Sequence, residues 1–218
     1  MKFDILGLGN ALVDETFYVE KEFLEGTDLF FNQFKSISYE NQEAILAKLP
    51  SGETPDVMCG GSTTNSLVAT SNFGTICGHI CQLSDDDRGK LYERNLKDNG
   101  IYSLNNFYHQ DVRTGRCLVF ITPASERTMG TYLGASERLV FDESFVTHAN
   151  NSKILFSEGY QFTSDENFEA FFRVLSEMNK EVKFALSLSD PGVVQGFRDR
   201  FKKVIASRKI DYLFCNRE

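Results

Sequence analysis

The chain has 218 residues, 41% of them hydrophobic and 25% charged, with a formal net charge of −8 at pH 7; this is the balance of an ordinary folded globular chain. That length buries a substantial core as one large domain or two small ones. The acidic balance argues against nucleic acid or an anionic membrane as partner, and no apolar run approaches the roughly 20 residues a spanning helix needs.

In chain order, "FDILGLG" reads as a buried strand, and "YENQEAILAKL" as a helix with its apolar side at Ala44, Ile45 and Leu49. "DVMCGG" is a short strand, followed by a helix from Ser62 to about Phe73 that Gly74 stops. A strand at 76–83, a helix at 87–98 ended by Asn99-Gly100, a strand at 153–157 and a helix at 165–179 come next. Strand "VKFALSL", a helix at 191–205 and strand "DYLFC" complete the series. Strands spaced by helices predict a mainly parallel sheet covered on both faces.

Two regions break the rhythm. Residues 15–35 are aromatic-rich without a helical period, and 112–133 read as two strands around a turn at Pro123–Glu126. Together they predict a small antiparallel sheet standing off the main one as a lid, with its segments at about 15–35 and 110–134. The domain assignment is a single α/β domain over 1–218 carrying these lid segments.

The five cysteines, Cys59, Cys77, Cys81, Cys117 and Cys215, are odd in number and scattered, which suits reduced thiols and a cytoplasmic location. "MKFDILGLG" lacks the apolar core and cleavage site of a secretory signal. Cys77, His79 and Cys81 share one face of a strand, where alternate side chains stand in parallel rather than converge, so a core face is expected instead of a metal site.

The glycines of "DILGLGNALVDE" invite a dinucleotide reading. The frame from Gly7 puts Leu12 where the third glycine of G-x-G-x-x-G belongs, and the chain continues extended instead of opening a helix. A better partner is "CGGSTTNS". Gly60 and Gly61 let a ligand approach the backbone, Ser62 is placed to cap the next helix, and Asn65 lies on its first turn. Asp14 at an early strand end, facing that helix start, makes a polyol pocket, because one carboxylate accepts hydrogen bonds from two neighbouring hydroxyls. Singly, each residue has an ordinary structural explanation; together they point to a site.

"GLGNALVD", "GGSTTNS", "LSDDDRG", "TGRCLVFITPASERTMGTYLGAS" and "DYLFCNRE" follow in the order found in the PfkB, ribokinase-like carbohydrate kinases. The chain resembles their adenosine kinase-like branch over essentially its whole length. The resemblance implies a ribokinase-like three-layer sandwich with a β lid, and an ATP-dependent kinase acting on a ribose-containing nucleoside or a simple sugar. It places Asp14 on the sugar hydroxyls, with Asn10, Gly60, Gly61 and Asn65 lining the same pocket. It places Arg127 near the transferring phosphate, against the alternative of an exposed turn arginine, and it leaves "SDDDRG" as helix capping. It also implies ATP and Mg2+ as cofactors, a sugar or nucleoside as small-molecule partner, and a possible homodimer through the lid.

The family's late Gly-Ala-Gly-Asp segment, which supplies the catalytic base, does not occur in these 218 residues. "CNRE" matches the start of the family's Asn-Glu-x-Glu motif at Asn216 and Glu218, which would help organise magnesium and phosphate, while Arg217 departs from it. The expectation is therefore an N-terminal portion of such a kinase, with the C-terminal part of the domain missing, and inactive alone. The alternative is a non-catalytic ligand-binding or dimerisation remnant.

Overall fold

The computed structural model describes residues 1–105 and 108–216. Its elements in chain order are β1 (Phe3–Leu8), β2 (Leu12–Tyr18), α1 (Lys21–Glu25), β3 (Phe34–Ser36), α2 (Tyr39–Leu46), β4 (Asp56–Gly60) and α3 (Ser62–Ser71). There follow β5 (Cys77–Ile80), β6 (Leu83–Ser84), α4 (Asp87–Asp98), β7 (Tyr102–Ser103), β8 (Tyr108–His109), β9 (Gly115–Ile121) and β10 (Arg127–Tyr132). The chain continues with α5 (Glu143–Asn150), β11 (Ser152–Glu158), α6 (Asp165–Glu177), β12 (Lys183–Ser187), α7 (Pro191–Gly196), α8 (Arg198–Ser207) and β13 (Tyr212–Phe214). Single 3-10 turns lie at Gly134–Glu137 and Gly159–Phe162.

Six strands form the main sheet in the order β13-β12-β11-β1-β5-β7, every pairing parallel. Alternation along the strands feeds two cores. Leu6 and Leu8 of β1, Leu155 of β11 and Phe184 and Leu186 of β12 pack with α5, α6 and α8 through Phe145, Phe171, Val174 and Phe201. On the other face, Cys77 of β5 and the neighbouring Cys81 pack with Leu67 of α3 and with Tyr92 and Leu96 of α4. This is the helix-sheet-helix layering predicted from the alternating segments.

The second sheet runs β3-β10-β9-β2-β4. It corrects the expected antiparallel lid in two ways. Its pairing is mixed, with β2 parallel to β9 and β3 parallel to β10, because β2 and β9 each leave the main body in the same direction. It also includes β4, which pairs antiparallel with β2 and was read as one more strand of the main series. Its back is covered by α1 and α2, where Phe17, Leu24, Ile45, Leu118 and Phe120 make a third core.

Other boundaries differ in ways with local causes. The strand expected at 76–83 is two, β5 and β6, and β6 pairs with β8 outside the main sheet. The helix expected at 191–205 breaks at Phe197, which adopts φ −120° and ψ 29° after Gly196. α5 was not anticipated; Asp142 caps it through Ser144 N at 2.8 Å. Among the described residues, no helix is long and apolar enough to cross a membrane.

His79 is fully buried, and among the described residues neither ring nitrogen has a hydrogen-bond partner. Burial without partners penalises the charged imidazolium and holds its pKa down to about 3. The unfolded chain takes up that proton near about pH 6.5, so stability present above this value declines as pH falls towards 3. Denaturant unfolding is expected to weaken between pH 6 and pH 4 more steeply in the wild type than in His79→Leu, with slopes differing by up to about 1.4 kcal/mol per pH unit. Equal slopes would contradict a neutral buried imidazole.

Candidate functional site

In an open parallel sheet, ligands settle beyond the carboxyl ends of the strands where the strand order reverses. Here the chain runs from β1 outward to β5 and β7, then returns to β11 on the opposite side of β1. Asn10 follows β1 and Glu158 ends β11, so both stand at that reversal. The lid sheet rises from the same place, because β2 continues from β1 after three residues.

Register explains how Asp14 reaches the diglycine. β2 and β4 pair Leu12 with Gly60 and Asp14 with Met58, so Asp14 and Gly60 share one face of the lid sheet. A Cβ at Gly60 would lie 2.5 Å from both Asp14 carboxylate oxygens, so only glycine leaves the carboxyl room there. Tyr92 OH of α4 donates to the Gly60 carbonyl at 3.0 Å and is itself bonded to Thr64 Oγ1. Gly61 adopts φ +96°, and a Cβ there would meet the Asn10 carbonyl oxygen at 2.3 Å.

Asp14 is half-buried, and among the described residues no protein donor hydrogen-bonds it. Desolvation raises its pKa to about 6, and the nearby Arg127 guanidinium counters only part of that. The titratable neighbours that feel its charge are the thiols of Cys59 on β4 and Cys117 on β9 and the Tyr92 hydroxyl. Arg127 is exposed at the start of β10, opposite Ile121 and in the Tyr18 row of the same sheet face as Asp14. No salt bridge among the described residues engages it.

The start of α3 corrects one expectation. Its cap position is Gly61, Ser62 is the first helical residue, and no side chain caps it from within. Ser62 Oγ instead donates to Glu158 Oε2 at 2.7 Å. Burial raises the pKa of that carboxyl. A buried carboxyl from β11 thus stands at the positive end of α3. Asn65 is exposed on the first turn.

Asn10 stands just beyond the end of β1, its side chain turned into the protein. It is 7% exposed, and its Oδ1 accepts from Gln161 Nε2 at 2.6 Å and Asn167 Nδ2 at 3.2 Å. Those two partners were not anticipated; the run "EGYQF" signalled a strand end but not which side chains turn inward. Across the opening, Phe34 of β3 lies on the Asp14 face through the register Thr16, Val119, Met129, Phe34. Its ring meets Tyr160 with centroids 6.5 Å apart, joining lid to main body.

Asn216 is exposed just after β13, and Glu218 lies outside the described residues. Among the described residues no group of three or more His, Cys, Asp or Glu side chains is arranged to hold a metal.

A sequence profile described as pfkB family carbohydrate kinase matches residues 35–218. This chain belongs to the pfkB family. Adenosine kinases 1 and 2 of Arabidopsis thaliana are 23% and 24% identical to it over 97% of its length, and it spans 62% of theirs. A probable sugar kinase from Rhizobium etli superposes with a TM-score of 0.89 at 24% identity, over 100% of this chain and 66% of that one. An adenosine kinase from Sinorhizobium meliloti gives 0.85 at 24% identity with the same coverage. At these identities the structural likeness shows the fold, and the chain spans less than two thirds of the relatives' length. The pfkB chain thus has the ribokinase-like α/β architecture that its motifs implied.

In Gly60→Ala the new methyl forces the Asp14 carboxyl off the diglycine and towards water. Its titration, followed by carboxyl carbon NMR, is expected to move from about 6 towards its ordinary 3.8. A midpoint that stays at about 6 would show that Gly60 does not seat this carboxyl.

Proposed function

We propose that this pfkB chain holds the acceptor of an ATP-dependent kinase, a ribose-containing nucleoside or simple sugar whose hydroxymethyl group receives the phosphoryl group. The observation that carries this reading is a half-buried carboxylate on the lid strand next to the strand-order reversal, held against a diglycine with no donor among the described residues. Such a group has lost hydration without replacement, and two adjacent sugar hydroxyls restore its hydrogen bonds. Phosphoryl transfer is chiefly a matter of positioning and charge stabilisation. In this chain Asp14 orients the sugar from the lid and Asn65 stands on the first turn of the helix that follows the diglycine. Arg127 supplies positive charge on the same face, where a transferring phosphate would accumulate negative charge. ATP and magnesium supply the phosphoryl group and its charge neutralisation when bound.

A nucleoside is favoured over a bare sugar by the Phe34 and Tyr160 rings, which span the opening and offer flat apolar surface to a base. The relatives named adenosine kinases and the adenosine complex of the Schistosoma mansoni enzyme, with a TM-score of 0.82 at 17% identity, support the same choice. The second reading, a non-catalytic binding or dimerisation unit, draws on the absence of a Gly-Ala-Gly-Asp segment from these residues.

Calorimetry with adenosine tests the reading. Asp14→Asn is expected to weaken binding about 10- to 100-fold, the range for losing a charge-assisted hydrogen bond. Wild-type affinity should rise with pH through about 6, where Asp14 ionises, and the variant's should not. Adenosine and ribose both failing to bind at pH 8 would overturn the assignment. The 218-residue chain, purified free of any full-length kinase, is expected to bind adenosine but form no AMP from ATP; turnover would refute the proposed lack of a base.

A further inference from the structure

The "SDDDRG" segment does more than cap a helix. Asp86 Oδ1 accepts from Gly89 N at 2.8 Å as the cap of α4. Its two oxygens also take Thr114 N at 2.9 Å and Thr114 Oγ1 at 2.7 Å, immediately ahead of β9. Two residues later, Arg88 donates Nε and Nη2 to Glu15 Oε1 on β2 at 2.9 and 2.6 Å. One short piece of the main body therefore grips both lid strands, β2 and β9, that pair side by side as they leave it.

Glu15 follows Asp14 on an extended strand, so the two carboxyls point to opposite faces of the lid sheet. On the back face Glu15 is nearly buried, its side chain 11% exposed, and Arg116 of β9 approaches its second oxygen at 3.6 Å. Arg116 is held in turn by α2: its Nε donates to Gln42 Oε1 at 2.7 Å, it pairs with Glu43, and it lies 5.1 Å from the Tyr39 ring. Gln42 donates to the carbonyls of Arg116 and Gly130 at 2.8 and 2.9 Å. Glu15 is thus fixed between one guanidinium belonging to the main body and another belonging to the lid.

We propose that Arg88 and Glu15 are a positioning pair, whose bond across the root of the lid sets the rotation of β2 and thereby seats the Asp14 carboxyl over Gly60, facing the cleft. This rests on the reading of Asp14 as the residue that holds the acceptor. An acid whose one oxygen takes both Arg88 donors and whose other faces the Arg116 guanidinium has little freedom to turn, and a turn of β2 that released Glu15 would swing its neighbour out of the cleft. The pair acts on the acceptor only through Asp14; neither residue faces the ligand.

The test uses the ligand-free chain first. Carboxyl carbon NMR follows Asp14 in the wild type, in Arg88→Met and in the control Arg173→Met, which removes an exposed cation of α6 paired with Glu143 and Glu177. Removing a cation by Coulomb effect alone raises a carboxyl pKa or leaves it unchanged, whereas release into water lowers it. The Arg88→Met midpoint is expected to fall from about 6 towards 3.8 by at least about one pH unit, with the control unmoved. A midpoint that stays or rises in Arg88→Met overturns the proposal. Should that variant not fold, Arg88→Lys, which keeps the charge but loses the two-nitrogen grip, is expected to shift the midpoint in the same direction, and no shift overturns the proposal equally. Calorimetry with adenosine then separates the two readings. Loss of about 10-fold affinity or more in Arg88→Met alone is expected where the wild type binds. A shifted midpoint with a wild type that binds no adenosine leaves the positioning pair standing and removes the nucleoside-kinase assignment.

Discussion

The candidate site is organised around a carboxyl group pushed out of water, with no hydrogen-bond donor to it among the described residues. Asp14 sits against the bare backbone of Gly60, and any side chain at that position would displace it. Its raised pKa reflects that unfilled hydrogen-bonding capacity, with desolvation outweighing the pull of Arg127. Glu158, the other buried acid of this region, does have a donor in the Ser62 hydroxyl, and the two acids differ in that respect.

The lid sheet presents two unlike faces because its strands alternate strictly. The back face, with Glu15, Phe17, Leu118 and Phe120, is closed by α1 and α2 and by the buried Arg116 and Gln42. The front face, with Asp14, Cys117, Met129 and Phe34, looks over the diglycine and Tyr160. Several crossing points between lid and body are bonded to one another: Ala11 N donates to Ser136 Oγ at 2.9 Å, Ala135 N to the Arg113 carbonyl at 2.9 Å, and Tyr92 OH to the Gly60 carbonyl. The lid is therefore a braced extension of β1 and not a loose flap.

Membership of the pfkB family and this geometry draw partly on the same residues. The profile match begins at residue 35, after Asn10 and Asp14, and includes the Gly60 against which Asp14 rests. The candidate site combines a desolvated carboxyl, a cation on the same sheet face and two aromatic rings in contact between lid and body.

Much was legible in the sequence because it depends on local pattern. Regular apolar spacing and glycine stops placed α3, α4, α6 and five of the six main-sheet strands close to their observed positions, leaving out the short β7, and the reading of "LVDE" and "GGSTTNS" as neighbours agrees with the pairing of β2 and β4. Pairing partners depend on contacts far apart in the chain, and these only the folded structure decided. Nothing local in "DVMCG" tells whether it joins the main sheet or runs antiparallel to β2, and nothing in "GRCLVFI" reveals that β2 lies parallel to β9 across about 100 residues. Ser62 looked like a cap because its position permits one; the cap fell to Gly61 because Glu158, 96 residues away, arrives to take the Ser62 hydroxyl. The roles of Gln161, Asn167 and Arg88 were hidden for the same reason: the sequence determines what a side chain is able to donate or accept, and tertiary packing alone determines which distant group is there to meet it.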